Sequence, residues 1–228
     1  MCGRYTLTSP REIAGELLGH DSETPLAARY NVAPLQVAPV VVAGEDGSRK
    51  IVSMRWGLIP HWSKNHHDSR ALINARAETV GEKASFRKSF SHRRCVVAAD
   101  GFYEWQRSGV DRQPFLLRLK KGAPFGFAGL WDRWLSAGNQ VIETFTIVTT
   151  VANELVKPIH HRMPVILGRQ ARDEWLSECE PLALSHLCEP CASSSMEIIP
   201  VGRRVNNASN DSLDCVRPIL LRHQKTLF

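Results

Sequence analysis

Short apolar runs broken by turn residues set the pattern of this chain. Val37 to Ala43 and Lys50 to Trp56 read as strands, joined by the turn-forming Gly44-Glu45-Asp46-Gly47-Ser48. Arg94 to Ala99, Pro114 to Leu119, Phe125 to Trp131 and Val141 to Thr150 repeat the pattern, and Met163 to Leu167 and Met196 to Val201 extend it. Helical signals are fewer. Ser9 suits a cap, Pro10 suits the first helical position, and Glu12 can reach back to complete a capping box. Ile13, Leu17 and Leu18 then share one face, which Gly19 can end. Ala152 to Lys157 predicts one or two helical turns before Pro158, and Arg169 to Cys179 a helix with Ala171, Trp175 and Leu176 turned to the core. Residues 61–71, 106–113 and 180–195 are polar or rich in Pro and Ser, and predict loops.

Strands this numerous and short, without regular alternation with long helices, argue against a parallel βαβ sheet. The pattern predicts an α+β fold: a single domain with a strongly bent, largely antiparallel β-sheet or open barrel flanked by short helices. No linker composition divides it, so residues 1–222 are expected to form the one domain and 223–228 a frayed tail. Trp56, inside an apolar strand, is expected in the core.

Composition narrows the class. The 228 residues are 43% apolar and 23% charged, a globular balance without disordered bias. No apolar run is long enough to span a bilayer, and Met1-Cys2-Gly3-Arg4 lacks the basic and apolar segments of a secretory signal, so an intracellular protein without a membrane partner is expected. Lys and Arg number 29 against 23 for Asp and Glu, and the formal +6 suits a polyanionic partner, although solubility alone also accounts for it. Six cysteines in a chain of this kind are expected as free thiols. Cys188-Glu189-Pro190-Cys191 has no second pair at matching spacing and reads as a loop, and the cluster His61, His66, His67 and Asp68 matches no standard ligand spacing. No metal and no cofactor are expected.

The chemistry concentrates at Cys2. Removal of Met1 would leave an amine and a thiol two carbons apart, a 1,2-aminothiol suited to aldehydes: the amine condenses to an imine and the thiol closes onto its carbon as a five-membered thiazolidine. Reference pKa values of about 7.7–8.0 for the amine and about 8.5 for the thiol leave useful nucleophile near neutrality. A Cys at this position also fits a frayed terminus without function.

Further strings accompany it: Tyr30-Asn31-Val32-Ala33-Pro34, Met54-Arg55-Trp56-Gly57-Leu58-Ile59-Pro60-His61-Trp62, Ile73-Asn74-Ala75-Arg76-Ala77-Glu78-Thr79, Ala99-Asp100-Gly101-Phe102-Tyr103-Glu104-Trp105 and Ile159-His160-His161-Arg162-Met163-Pro164. With Met1-Cys2-Gly3-Arg4, and in this order from Cys2 to about Pro218, they closely resemble the SOS response-associated peptidase family, whose members crosslink to abasic sites. The resemblance implies single-stranded DNA containing abasic sites as the partner, in a bacterial cytoplasm or nucleoid or in a eukaryotic nucleus; a monomer is the simplest expectation for the oligomeric state, which the sequence leaves open. It implies Cys2 as the crosslinking residue, Asn74 and Arg76 as holders of the abasic sugar and its phosphate, Glu104 as the acid beside the cysteine, and His160 as the proton carrier in sugar opening and reversal. Arg4 and Arg162 match cationic positions near the DNA backbone, Thr149 a pocket position, and Trp62 is placed to stack on an exposed base. The family's added aromatic residues are replaced here by Ser63-Lys64.

These types suit the chemistry. Ring opening of deoxyribose needs protons given and taken, which a near-neutral histidine supplies. A carboxylate in a dry pocket titrates high and can carry the amine's proton, and arginine offers a fixed fork to phosphate. Singly, each also fits a structural role: Glu104 as an exposed strand residue, His160 as a satisfied loop residue, Arg76 as a surface partner of Glu78. Other functional classes stay open at this level: an N-terminal nucleophile amidohydrolase, which can also begin Met-Cys-Gly, a general peptidase, and a module that binds single strands without covalent chemistry.

Overall fold

The structure, a computed structural model, describes residues 2–18, 26–44, 46–64, 71–109, 111–136 and 138–221. Gly19, His66, His67, Asp68 and the tail 223–228 lie outside the described residues. Along the chain run β1 (Tyr5–Leu7), α1 (Pro10–Leu18), β2 (Arg29–Val32), β3 (Val37–Ala43), β4 (Arg49–Trp56) and β5 (Asn74–Arg76). Then follow α2 (Arg87–His92), β6 (Arg94–Ala99), β7 (Gly101–Ser108), β8 (Asp111–Leu119) and β9 (Phe125–Leu135). The last elements are β10 (Val141–Val151), β11 (Arg162–Pro164), β12 (Ile166–Leu167), α3 (Arg169–Leu176) and β13 (Met196–Pro200).

The bend expected from the sequence runs to closure. β3 pairs with β4, β4 with β10, β10 with β9, β9 with β6 and β6 with β3, so five strands form a closed barrel; only β4 and β10 run parallel in this ring. A second, antiparallel sheet has the order β13-β8-β7-β1-β2. Alternation along the strands sends Val40, Trp56, Val97, Phe127 and Phe145 into the barrel, where they pack with Tyr5 and Phe102 of the second sheet. The opposite faces, with Val41, Val96, Ala128 and Val148, are covered by Ile13 and Leu17 of α1, Phe90 of α2 and Trp175 of α3. Every residue of β6 is buried, which is why the barrel strands read as continuous apolar runs rather than as alternating ones. Packing is close enough that a Cβ at Gly126 would lie 2.1 Å from the Val96 side chain.

Three expectations change. Residues 106–113 do not form a loop: β7 and β8 continue as a ladder from Phe102↔Leu117 out to Ser108↔Asp111. Backbone pairing needs no apolar side chains, so the polar Gln106, Arg107, Arg112 and Gln113 conceal a hairpin. Within 180–195, Pro181–Cys188 is a 3-10 helix. At the start of α1, the Ser9 N–H donates at 3.0 Å to the Asp100 carboxylate, which also accepts from the N–H and hydroxyl of Thr8 and the hydroxyl of Thr6. Asp100 thus takes the donor that a capping box would have assigned to Glu12, which is exposed.

Candidate functional site

The site forms where β10 changes partners. On one edge β4, paired at Thr144 and Phe145, gives way to β5, paired as Ile147↔Asn74 and Thr149↔Arg76. On the other edge β9, which reaches Ile147, gives way to β11, paired as Thr149↔Pro164 and Val151↔Arg162. Ala75 turns to the helix-covered face, so alternation turns Asn74, Arg76 and Thr149 to the face that continues the barrel interior.

The chain start meets them there. The Asn74 side-chain amide donates to the Cys2 carbonyl at 2.8 Å. Cys2 is fully buried in the main core, its thiol 3.8 Å from the Arg4 carbonyl. β1 lies beside β7, with the Tyr103 N–H donating to the Arg4 carbonyl at 3.0 Å. Glu104, two positions beyond Phe102, therefore faces the same core, and it is buried. Burial first, then the Glu104 carboxylate, pushes the Cys2 thiol far above its ordinary range, and burial likewise raises Glu104. His160 stacks on His161 with ring centres 4.4 Å apart, and its Nδ1 lies 3.0 Å from the Arg162 N–H. Burial pulls its pKa below the ordinary histidine value, so the ring is a neutral base near pH 7. The segment carrying it lies along β7, where the Gln106 amide donates to the Pro158 carbonyl at 3.4 Å.

Asn74 Oδ1 is buried and has no hydrogen-bond partner among the described residues, although its own amide nitrogen is held by Cys2. A buried acceptor left so beside the Cys2 backbone has room for a donor from outside the protein.

The sequence pattern of the SOS response associated peptidase (SRAP) family matches residues 1–208. The chain belongs to that family. Its SRAP relatives include Abasic site processing protein YoqW of Bacillus subtilis (strain 168), 40% identical over 223 residues, covering 95% of this chain and 99% of the relative. Abasic site processing protein YedK of Escherichia coli (strain K12) is 31% identical over 231 residues, with 96% and 100% covered. Among solved structures, a crystal structure of a protein from Bacteroides thetaiotaomicron matches with a TM-score of 0.86 at 26% identity, covering 96% of this chain and 100% of that one.

The SRAP chain places the remaining expected residues unequally. Trp62 is 56% exposed and Arg76 is exposed. Thr149 is buried, its hydroxyl donating to the Ala75 carbonyl at 3.3 Å. Arg4 and Arg162, expected as cations near the backbone of DNA, are committed within the protein. Arg4 donates to Asn31 Oδ1 at 3.0 Å and to the Val205 carbonyl at 2.8 Å. Arg162 is 7% exposed, and its two terminal nitrogens meet the two Glu78 carboxylate oxygens at 2.5 and 3.0 Å, with the Thr149 carbonyl at 2.6 Å. A guanidinium that deep needs a counter-ion, and the Glu78 carboxylate supplies it.

A cavity of about 490 Å³ beside Cys2 is lined by Gly3, Arg4, Pro34, Trp105, Arg112 and Asn206. Arg112 lies in a stretch whose sequence predicts a loop, and Trp105 stands in a motif string without an assigned role; the signal that could have placed Arg112 is the strand of Phe102-Tyr103-Glu104-Trp105 continuing into the polar stretch. Among the described residues no group of three or more His, Cys, Asp or Glu could hold a metal ion. His61 Nδ1 instead lies 3.0 Å from Asp132, and Cys188 is buried, its thiol pushed up to about 11 by that burial. The six cysteines are free thiols. No helix among the described residues is long and apolar enough to cross a membrane.

Proposed function

We propose that this chain detects abasic sites in single-stranded DNA and shields them by a covalent thiazolidine link to Cys2, after Met1 is removed. The observation that carries the reading is the open acceptor of Asn74 fixed against the Cys2 carbonyl, with Glu104 and His160 close by. The names of the SRAP relatives support the same substrate.

The steps follow from the protonation states. His160, neutral near pH 7, takes the proton of the anomeric hydroxyl and returns it to the ring oxygen as the C1′–O4′ bond breaks, which leaves the open aldehyde. The Cys2 amine adds to the carbonyl carbon, giving a carbinolamine whose hydroxyl hydrogen-bonds Asn74 Oδ1. Glu104, its pKa raised by burial, gives its proton to that hydroxyl, and as water leaves its carboxylate takes up the proton of the nitrogen, so that the neutral imine forms. The thiol then adds across the carbon–nitrogen double bond: the S–C bond forms and the thiol proton ends on nitrogen. The high pKa of the buried thiol keeps it protonated until the imine is present, which favours this order. Reversal uses Glu104 and His160 in the opposite sense. From the imine, loss of a proton at the neighbouring sugar carbon expels the 3′ phosphate, a slower lyase side reaction. Removal of Met1, by the chain itself or by an aminopeptidase, arms the site by freeing the amine. Arg76 and Trp62 meet DNA directly in this reading, while Arg4, Arg162 and Thr149 act by holding the strands that present the site.

Intact mass spectrometry after incubation with a single strand carrying one abasic site tests this. The expected product is protein lacking Met1 plus DNA less one water, stable without added reductant and absent for Cys2→Ala. Processed wild-type protein that forms no adduct would overturn the reading.

A further inference from the structure

Trp62 sits at the tip of a tight turn, and the barrel wall grips that turn at alternate residues. The Ser63 N–H donates to the Pro60 carbonyl at 2.9 Å, closing the turn around His61 and Trp62. The Ile59 N–H donates to the Thr144 hydroxyl at 2.9 Å, the His61 N–H to Asp132 Oδ2 at 2.8 Å, and Trp134 Nε1 to the Ser63 carbonyl at 2.7 Å. Asp132 and Trp134 are two apart on β9, and Asp132 pairs directly with Thr144 on β10, so the three side chains share the outer face of the barrel. All three are buried. Asp132 is the centre of the group. Besides the His61 N–H it takes the His61 ring at 3.0 Å, the Arg93 guanidinium and the Arg133 N–H at 2.8 Å. The stem of the turn is tied in turn to the strand that carries Asn74: Leu58 bridges Leu72, and Trp56 Nε1 donates to the Ile73 carbonyl at 2.9 Å.

We infer that Asp132 is a positioning residue for DNA: it locks the Pro60–Ser63 turn so that Trp62 is presented to a single strand already ordered. A buried carboxylate supplied with this many donors fixes the groups around it, and the turn it fixes carries the exposed ring of Trp62. Ordering the turn before binding removes an entropic cost that a loose turn would meet on every encounter. This inference rests on the single-stranded DNA reading above and adds to it a residue that touches neither the sugar nor a base.

The test uses a single strand in which tetrahydrofuran replaces the abasic sugar, so that no imine forms and affinity is read apart from covalent capture. By fluorescence anisotropy, Asp132→Asn should raise the dissociation constant about tenfold, the effect of losing pre-order in a few residues. Trp62→Ala should weaken binding by a similar factor, and the double variant should be little worse than Trp62→Ala alone, because Asp132 acts through that ring. If Asp132→Asn does not fold, Thr144→Val removes the Ile59 tether without changing shape and should show the same dependence on Trp62. Wild-type affinity in both variants, or effects that simply multiply with Trp62→Ala, would overturn the inference. Loss of adduct formation on true abasic DNA with this binding pattern intact would overturn the capture chemistry alone.

Discussion

The two halves of β10 are built to different rules. From Val141 to Ile147 the strand lies against β9 in an unbroken ladder, with β4 joining on its other edge, and it contributes Phe145 and Ile147 to the barrel core. Beyond Ile147 both partners are replaced by three-residue strands, β5 and β11. The first half closes the barrel, and its inward side chains, Phe145 and Ile147, sit among other apolar side chains. The second half and the short strands beside it carry polar side chains with specific contacts: Asn74 to Cys2, Thr149 to Ala75, Arg162 to Glu78 and the Thr149 carbonyl. Stability and chemistry therefore separate along one strand, and substitutions on the two sides of Ile147 should fail in different ways.

The largest effect is expected in the first half. Phe145 is fully buried and stacks on Trp56, ring centres 6.3 Å apart and planes 7° from parallel. Phe145→Ala should lower the unfolding free energy by about 3–5 kcal/mol, most of the margin of a marginally stable domain. Denaturant titration checks this, and the molecules still folded at low temperature should form adduct at nearly the wild-type rate. In the second half Asn74→Ala should do the reverse. Losing both the tether to Cys2 and the open acceptor should slow adduct formation by about 100-fold, the usual cost of a misplaced reacting group, with little change in the melting temperature. A variant that lost stability and rate in proportion would erase the distinction between the halves.

The same division explains what could be read from the chain. Barrel strands such as β3, β6 and β10 are legible because burial on both faces demands long apolar, β-branched runs. The strands that carry the site are not. β1 and β5 have three residues each, too few to show a period, and their ladders are completed by residues far away in sequence. Cys2, Asn74, Glu104 and His160 were nameable from motif strings, yet their convergence depends on the exchange of partners at Ile147, which no local pattern encodes. Arg4 and Arg162 show the limit most clearly. The motif strings say nothing of their partners inside the protein, and only the fold shows that Arg4 donates to Asn31 and Val205 and Arg162 to Glu78, 84 positions away.

The smallest predicted effect probes that last pair. The hydrogen bond from Arg162, ahead of any other influence, holds the Glu78 carboxyl below its ordinary value of 4.5. A group whose pKa is depressed on folding adds stability above its unfolded value and loses it as pH falls through the folded one. The contribution should thus be complete at neutral pH and fade below about 4.5 as the carboxyl takes up a proton. Because 48% of the Glu78 side chain is exposed, solvent screens the pair, and Glu78→Gln should cost only about 1 kcal/mol at pH 7. Denaturant titrations of both proteins should converge as pH falls below that point. A gap that persisted into acid would mean that the Gln side chain disturbs packing rather than charge. A gap absent at pH 7 would mean that the Thr149 carbonyl and its neighbours hold Arg162 without Glu78, and that the outer edge of β11 is less dependent on single contacts than the rest of its half of the strand.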